Sequence, residues 1–374
     1  MKYNPNSTSK EVLHQLIKRI INPSYSIDNN LLKSTDWPSV KKDAAKQGVL
    51  AFIFDAITTL PKDLRPKQNI LLQWIGEVIA QEQLYAKHAK VIAELSSFYE
   101  SHGIKMMLLK GWGLSLNYPY PSHRPTGDID IWLYGDQAKG DFIIKNEKGI
   151  NPVKSSHHTI FYYNGVEVEN HITFIEVDCH KADGSEDIIL QYAKEPSIEV
   201  DVMNGCNVQL PSPNLNAYFL LRHSSAHFAT EGIILRHLLD WGFFVERYSD
   251  KIDWKELYAN AKDKNINVFL DCMNTICVEY LDFTDAKFPR SNRCFELANR
   301  IWNDILEPEF AISAPPMRHN FAKYCFVKTK RHFANKWKHD ITYKVYFWNS
   351  LFRFAWNRLK SPYSFGDIVS KNKA

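Results

Sequence analysis

Apolar residues in the first hundred positions recur at helical spacing. The stripe is clearest over residues 68–99, where Ile75, Val78, Ile79, Tyr85, Ala89, Ile92 and Leu95 repeat before His102-Gly103 stops it. Residues 1–100 are therefore expected to form a helical N-terminal region. From Ile104 the period changes. Residues 104–109 are a short apolar run closed by Lys110-Gly111, the pattern of a buried strand feeding a turn, with a short helix expected over 112–117. Residues 118–127 are rich in Pro and Gly and read as loop, 128–133 reads as a strand, and Gly135-Asp136 offers a helix start. Runs 157–163 and 166–174 flank Asn164-Gly165, the strongest short hairpin signal, so the sheet is expected to be partly antiparallel. A helix near 186–193 and extended runs at 198–203 and 207–210 complete this central segment, residues 101–212. Pro211-Ser-Pro-Asn214 marks a boundary, after which Asn214 is expected to cap a helix to about 228, with a second running from beyond Gly232 to about 248. Further helices are expected to fill residues 213–374.

Composition narrows the class. A chain of 374 residues exceeds one typical core, and 45% hydrophobic with 24% charged residues is ordinary for a folded soluble protein, which excludes disorder. The polar start lacks the apolar stretch of a signal peptide and no run reaches the ~20 apolar residues of a membrane span, so a cytoplasmic setting is expected. Six cysteines without CxxC spacing read as reduced thiols. The net charge of +4 hides an asymmetry: residues 318–360 hold eleven Lys and Arg against one acid, Asp340. There Phe333, Trp337, Tyr343, Tyr346, Trp348, Phe352, Phe354 and Trp356 interleave with Lys336, Lys338, Lys344, Arg353 and Arg358. Such a tail suits single-stranded RNA or a membrane interface, but its plainer reading is a helix that packs its aromatics inside and shows its cations to solvent.

Chemistry concentrates near Asp128 and Asp130. Residues i and i+2 of a strand share a face, so these carboxylates stand side by side while Ile129 turns inward. Hard cations such as Mg²⁺ take oxygen ligands and share them with phosphates, so an acid pair facing the Lys110-Gly111 turn reads as a nucleoside triphosphate site. Lys110 can hold phosphates as a point charge, and Arg124 can brace its loop or reach the same phosphates. On the second hairpin strand Glu167, Glu169 and His171 share one face, which supplies a third carboxylate, Glu169 or Glu167. His223 and His227 lack the Glu of a zinc-protease helix and read as satisfied buried imidazoles. Arg236 and Asp240 are candidates for a pocket together with His171, although their i, i+4 spacing also suits a salt bridge.

The stretch from Leu108-Leu-Lys-Gly-Trp-Gly to Arg124-Pro-Thr-Gly-Asp-Ile-Asp130 resembles the signature of the uncharacterised bacterial nucleotidyltransferases of the polymerase-beta-like superfamily. Gly165-Val-Glu-Val-Glu-Asn-His171 is similar to that family's second acidic strand, and Leu235-Arg-His-Leu-Leu-Asp-Trp241 to a recurrent stretch of its helical region. The resemblance covers roughly residues 104–254. It implies an α+β fold, with a mixed, partly antiparallel sheet and packed helices forming a catalytic core at 101–212 between helical N- and C-terminal regions. It also implies two Mg²⁺ ions on Asp128, Asp130 and Glu169, phosphate binding at Gly111, and transfer of a nucleotidyl group from NTP to an unknown acceptor hydroxyl on a small molecule, protein or RNA. A non-catalytic nucleotide- or RNA-binding module on the same fold is the alternative. Sixteen residues separate Gly111 from Asp128, more than in the compact members, and Trp112 stands where many have Ser or a second Gly. Backbone N–H groups can replace the hydrogen bond that Ser would make.

Overall fold

The computed structural model describes residues 8–155, 157–175, 184–203, 205–290, 294–310, 320–342 and 347–348. The fold is α+β. Seven strands form one mixed sheet: β1 (Met107–Leu108), β2 (Ile129–Trp132), β3 (Val153–Lys154), β4 (His158–Tyr163), β5 (Val166–His171), β6 (Ile198–Met203) and β7 (Cys206–Leu210). Their order is β3-β4-β5-β2-β1-β7-β6, with β2 parallel to β5, β1 parallel to β7, and the other neighbours antiparallel. The hairpin β4–β5 turns at Asn164 and Gly165, both with positive φ (51° and 70°), which is the backbone a two-residue turn between twisted strands requires. β1 is shorter than the expected 104–109 run: the ladder pairs Met107 and Leu108 with β2 and Met107 with β7, and beyond it the Leu109 N–H donates to the Asp130 carbonyl at 2.9 Å.

Alternation along the strands divides the sheet into two faces. Ile129, Ile131, Phe161, Val168 and Val208 pack with Ala89, Ile92, Leu95 and Tyr99 from the second half of the Gln68–Ser101 helix. That helix has 34 residues, about 50 Å at 1.5 Å per residue. Its first half lies elsewhere: Trp74 and Val78 join the N-terminal helices, and the Trp74 indole donates to the Leu50 carbonyl. The opposite sheet face carries Trp132, which meets Phe174 and belongs to the larger helical core with Phe219.

The N-terminal helices (Thr8–Ile21 to Leu50–Thr59) and the helices from Pro213 to Leu306 share that one larger core. Buried Gln47 ties them together by donating to the Ile305 carbonyl at 2.8 Å and accepting from the Leu235 N–H at 2.9 Å. The Pro213–Thr230 helix is capped by Ser212, whose hydroxyl accepts from the Leu215 N–H, with Pro213 at the first helical position. Asn214 does not cap it, contrary to expectation. Its side chain donates to Glu195 and accepts from Asp253 N–H, so it joins two neighbouring segments.

Within the basic segment, the described part docks. Lys338 is buried and paired with Asp304 at 2.5 Å, and Trp337 lies under the Arg300 guanidinium at 3.9 Å. Phe326, Phe333 and Trp348 are exposed, so the aromatics do not all turn inward, nor all the cations outward. Tyr343, Lys344, Tyr346, Phe352, Arg353, Phe354, Trp356 and Arg358 lie outside the described residues. No described helix is long and apolar enough to cross a membrane.

Candidate active site

Strand register assembles the site. β2 and β5 run side by side with Asp130 opposite Glu169, and β4 crosses β5 with His158 opposite His171. Asp128 lies just before β2, two residues from Asp130. Because paired residues of neighbouring strands share a face, Asp130, Glu169, His171 and His158 form one polar patch in an otherwise apolar sheet. His171 Nε2 stands 2.9 Å from Asp130 Oδ1 and 3.7 Å from Glu169 Oε2, while His158 Nε2 is 3.5 Å from Glu169 Oε1. Glu167, the other acid on that face, accepts instead from the Tyr162 hydroxyl.

One cation already serves this patch. Lys110 Nζ is 3.1 Å from Asp130 Oδ1. Burial alone would raise the Asp130 carboxyl, but Lys110 and the hydrogen bond from His171 hold it well below the usual carboxylate range. Glu169 has no such compensation: burial, then the charges of Asp130 and Asp128, push it up to about 7. Asp128 is raised by burial and by Asp130. Burial and neighbouring imidazoles press His157 down to about 3 and His158 to about 4, which leaves both neutral near pH 7. The patch thus carries more negative charge than Lys110 balances.

That excess fits a metal ion. Asp130, Glu169 and His171 each bring one donor atom to within 4.8 Å of the others, as do His157, His158 and His171. Asp128 stands outside both groups. It lines the open space beside them, where two adjoining clefts meet, one of about 370 Å³ and one of about 400 Å³.

The first cleft contains the turn. Lys110 and Gly111 both take positive φ (25° and 40°), which breaks the Lys110–Ser115 helical turn at its start and places the site of a Gly111 Cβ 3.4 Å from the Asp128 carbonyl. Close approach of the two segments follows. The loop leading to Asp128 is held by buried polar contacts. Arg124 donates Nε and Nη2 to Asp240 and Nη1 to the Pro125 carbonyl, so of its two expected roles the bracing one has contacts here. His123 sits between Asp55 and Glu82 at 2.8 and 3.0 Å.

Asp240 and Arg236 both line this cleft. The carboxylate of Asp240 is hydrogen-bonded to Arg124 and Tyr118, whereas the buried Nε of Arg236 has no hydrogen-bond partner among the described residues. His223 and His227 also line this cleft and meet edge to face at 4.5 Å between ring centroids, with burial lowering the pKa of both. His158 was absent from the sequence-derived site. A lone strand histidine carries no signal until register places it beside Glu169, although the His157-His158 doublet could have prompted attention.

The family described as uncharacterised nucleotidyltransferase matches residues 33–282 of this chain. A solved structure described as an antigenic nucleotidyltransferase-like protein from Paracoccidioides brasiliensis is similar at 17% identity, covering 54% of this chain and 95% of that one, with a TM-score of 0.33. No curated protein matches.

Proposed function

This chain belongs to the uncharacterised nucleotidyltransferase family, and from that premise we propose that it transfers a nucleoside monophosphate from NTP to an acceptor hydroxyl, releasing pyrophosphate, with Mg²⁺-dependent chemistry on a polymerase-beta-like core. The observation that carries this reading is the register of β2 and β5, which sets Asp130 opposite Glu169 with Asp128 two residues away beside the Gly111 turn.

Asp128, Asp130 and Glu169 would hold the ions; their mutual repulsion, seen in the raised Glu169 and Asp128 carboxyls, is relieved by cations. Two bound Mg²⁺ would supply charge neutralisation for the departing pyrophosphate and a lowered pKa for the acceptor hydroxyl. Backbone N–H groups at Gly111 can face phosphate oxygens because no Cβ intervenes. Lys110 and Arg236 provide positive charge on the same cleft, and Arg124 keeps the preceding loop in place. The protein's contribution is position and electrostatics. The acceptor would enter the adjoining cleft, which Asp128 and Glu169 line together with Phe174, Phe219 and Ala226. Free thiols at Cys206, Cys272, Cys277, Cys294 and Cys325 support the expected cytoplasmic setting.

The test pairs two measurements. Parent protein and Asp128→Asn/Asp130→Asn are each incubated with Mg²⁺, every α-labelled NTP in turn and a cell lysate, and thermal stabilisation by NTP is recorded. Label on an acceptor with the parent alone, and Mg²⁺-dependent stabilisation lost in the double variant, are the expected results. Equal stabilisation of both proteins with no labelled product would instead establish the alternative, a non-catalytic nucleotide-binding module.

A further inference from the structure

We propose that Asp130, Glu169 and His171 form a single mixed nitrogen–oxygen site for a first-row transition-metal dication, Mn²⁺ to Zn²⁺, in place of one all-oxygen magnesium position. This rests on the transferase reading for the roles of the two carboxylates, but its geometry stands on its own. His171 Nδ1 lies 3.1 Å from the Thr173 carbonyl oxygen. A carbonyl only accepts, so Nδ1 carries the hydrogen. The other ring nitrogen, Nε2, then points at Asp130 Oδ1 (2.9 Å) and towards Glu169 Oε2 (3.7 Å), two acceptors on a buried sheet face. Such a meeting is favourable only with a positive centre between the three, either a proton or a metal ion.

The spacing suits the metal. Ligands about 2.1 Å from one ion in neighbouring coordination positions stand about 3 Å apart; His171 Nε2 lies 2.9 and 3.7 Å from the two carboxylates, and all three donors fall within 4.8 Å. An imidazole fixed by Nδ1–H to a backbone carbonyl, presenting Nε2, is the arrangement by which proteins orient a histidine ligand. Its nitrogen shifts preference away from Mg²⁺, which takes oxygen donors, toward the later dications. His158 backs the site: its Nε2 lies 3.5 Å from Glu169 Oε1, the other oxygen of that carboxylate. Lys110 competes for Asp130 Oδ1 from 3.1 Å, so an ion and this ammonium oppose one another until an anion takes up the lysine.

The experiment uses the full chain without nucleotide. Mn²⁺ is added, nitrogen coupling to the bound ion is read by electron spin echo envelope modulation, and Mn²⁺ and Mg²⁺ affinities are compared by calorimetry. Imidazole nitrogen coupling is expected in the parent, with Mn²⁺ bound about 10-fold more tightly than Mg²⁺. Both features should vanish in His171→Asp, which offers oxygen in place of nitrogen; thermal melting checks that it folds, and His171→Asn takes its place if it does not. No Mn²⁺ binding, binding without nitrogen coupling, or coupling that persists in the variant would each overturn the site. Label transfer with Mg²⁺ alone is scored separately. Transfer without nitrogen coupling sinks this site and keeps the transferase reading, while coupling without transfer under any dication does the reverse.

Discussion

Asp240 grips Arg124 across 116 positions of sequence, with Nε to Oδ1 at 2.8 Å and Nη2 to Oδ2 at 2.9 Å. The same carboxylate accepts from the Tyr118 hydroxyl at 2.7 Å, so one side chain of the Leu235–Tyr248 helix fastens both ends of the loop that delivers Asp128. Breaking a buried pair on one side leaves an uncompensated charge. Asp240→Asn is expected to lower unfolding free energy by about 3–5 kcal/mol in urea titrations. Arg124→Lys should not restore the parent value in protein with Asp240 intact, since an ammonium lacks the planar fork.

Gly242 lies on the same helix against the Phe283 ring, and a Cβ there would fall inside that ring's contact surface. Gly242→Ala should cost about 1–3 kcal/mol by overpacking. Combining it with Phe283→Leu should recover part of the loss, read as melting temperature of the double variant against each single one.

Acid should weaken the fold through His237. Burial, then Arg236, lowers its pKa to about 4, and its Nδ1 accepts from the Ile234 N–H, a bond only the unprotonated nitrogen can take. The unfolded chain binds a proton near 6.5 and the folded one does not until about 4. The associated stability is therefore complete above 6.5 and disappears as pH falls toward 4, an effect on the order of 3 kcal/mol at 1.36 kcal/mol per unit. Unfolding free energy of His237→Asn should show a shallower slope than the parent across that window; equal slopes would rule the account out.

Glu169 should trade stability for function. It sits at about 7 because burial and the Asp130 and Asp128 charges oppose its ionisation. At pH 8 and without metal, Glu169→Gln is expected to raise unfolding free energy by about 1–2 kcal/mol, while NTP labelling falls. A destabilised variant under those conditions would count against electrostatic strain in the patch.

Much of this molecule was readable from local pattern. Asn164-Gly165 between alternating runs located the hairpin, and helical spacing located the long Gln68–Ser101 helix. The strand pattern put Glu169 within reach of Asp130, but the i, i+2 rule applies within a strand and Asp128 precedes β2, outside the donor group of Asp130, Glu169 and His171. Long-range pairing was not readable. Arg236 at i, i+4 looked the natural partner of Asp240, yet a guanidinium from a distant loop holds it, because ion pairing follows spatial proximity and helix neighbours at that spacing need not meet. Ser212 rather than Asn214 is the cap because the helix begins at Pro213, which leaves Asn214 inside the first turn with its side chain on Glu195 and the Asp253 N–H. His158 acquired meaning only through its position opposite His171.

The interior that residues 12–64 share with residues 215–305 has a further implication for the birth of the chain. A ribosome releases the first helices well before their apolar counterparts exist, whereas the seven described strands lie within residues 107–210 and can pair as soon as they emerge. Truncation after 212 would therefore yield a completed sheet attached to orphaned, sticky helices, and the nascent polypeptide should depend on chaperones until its last third arrives.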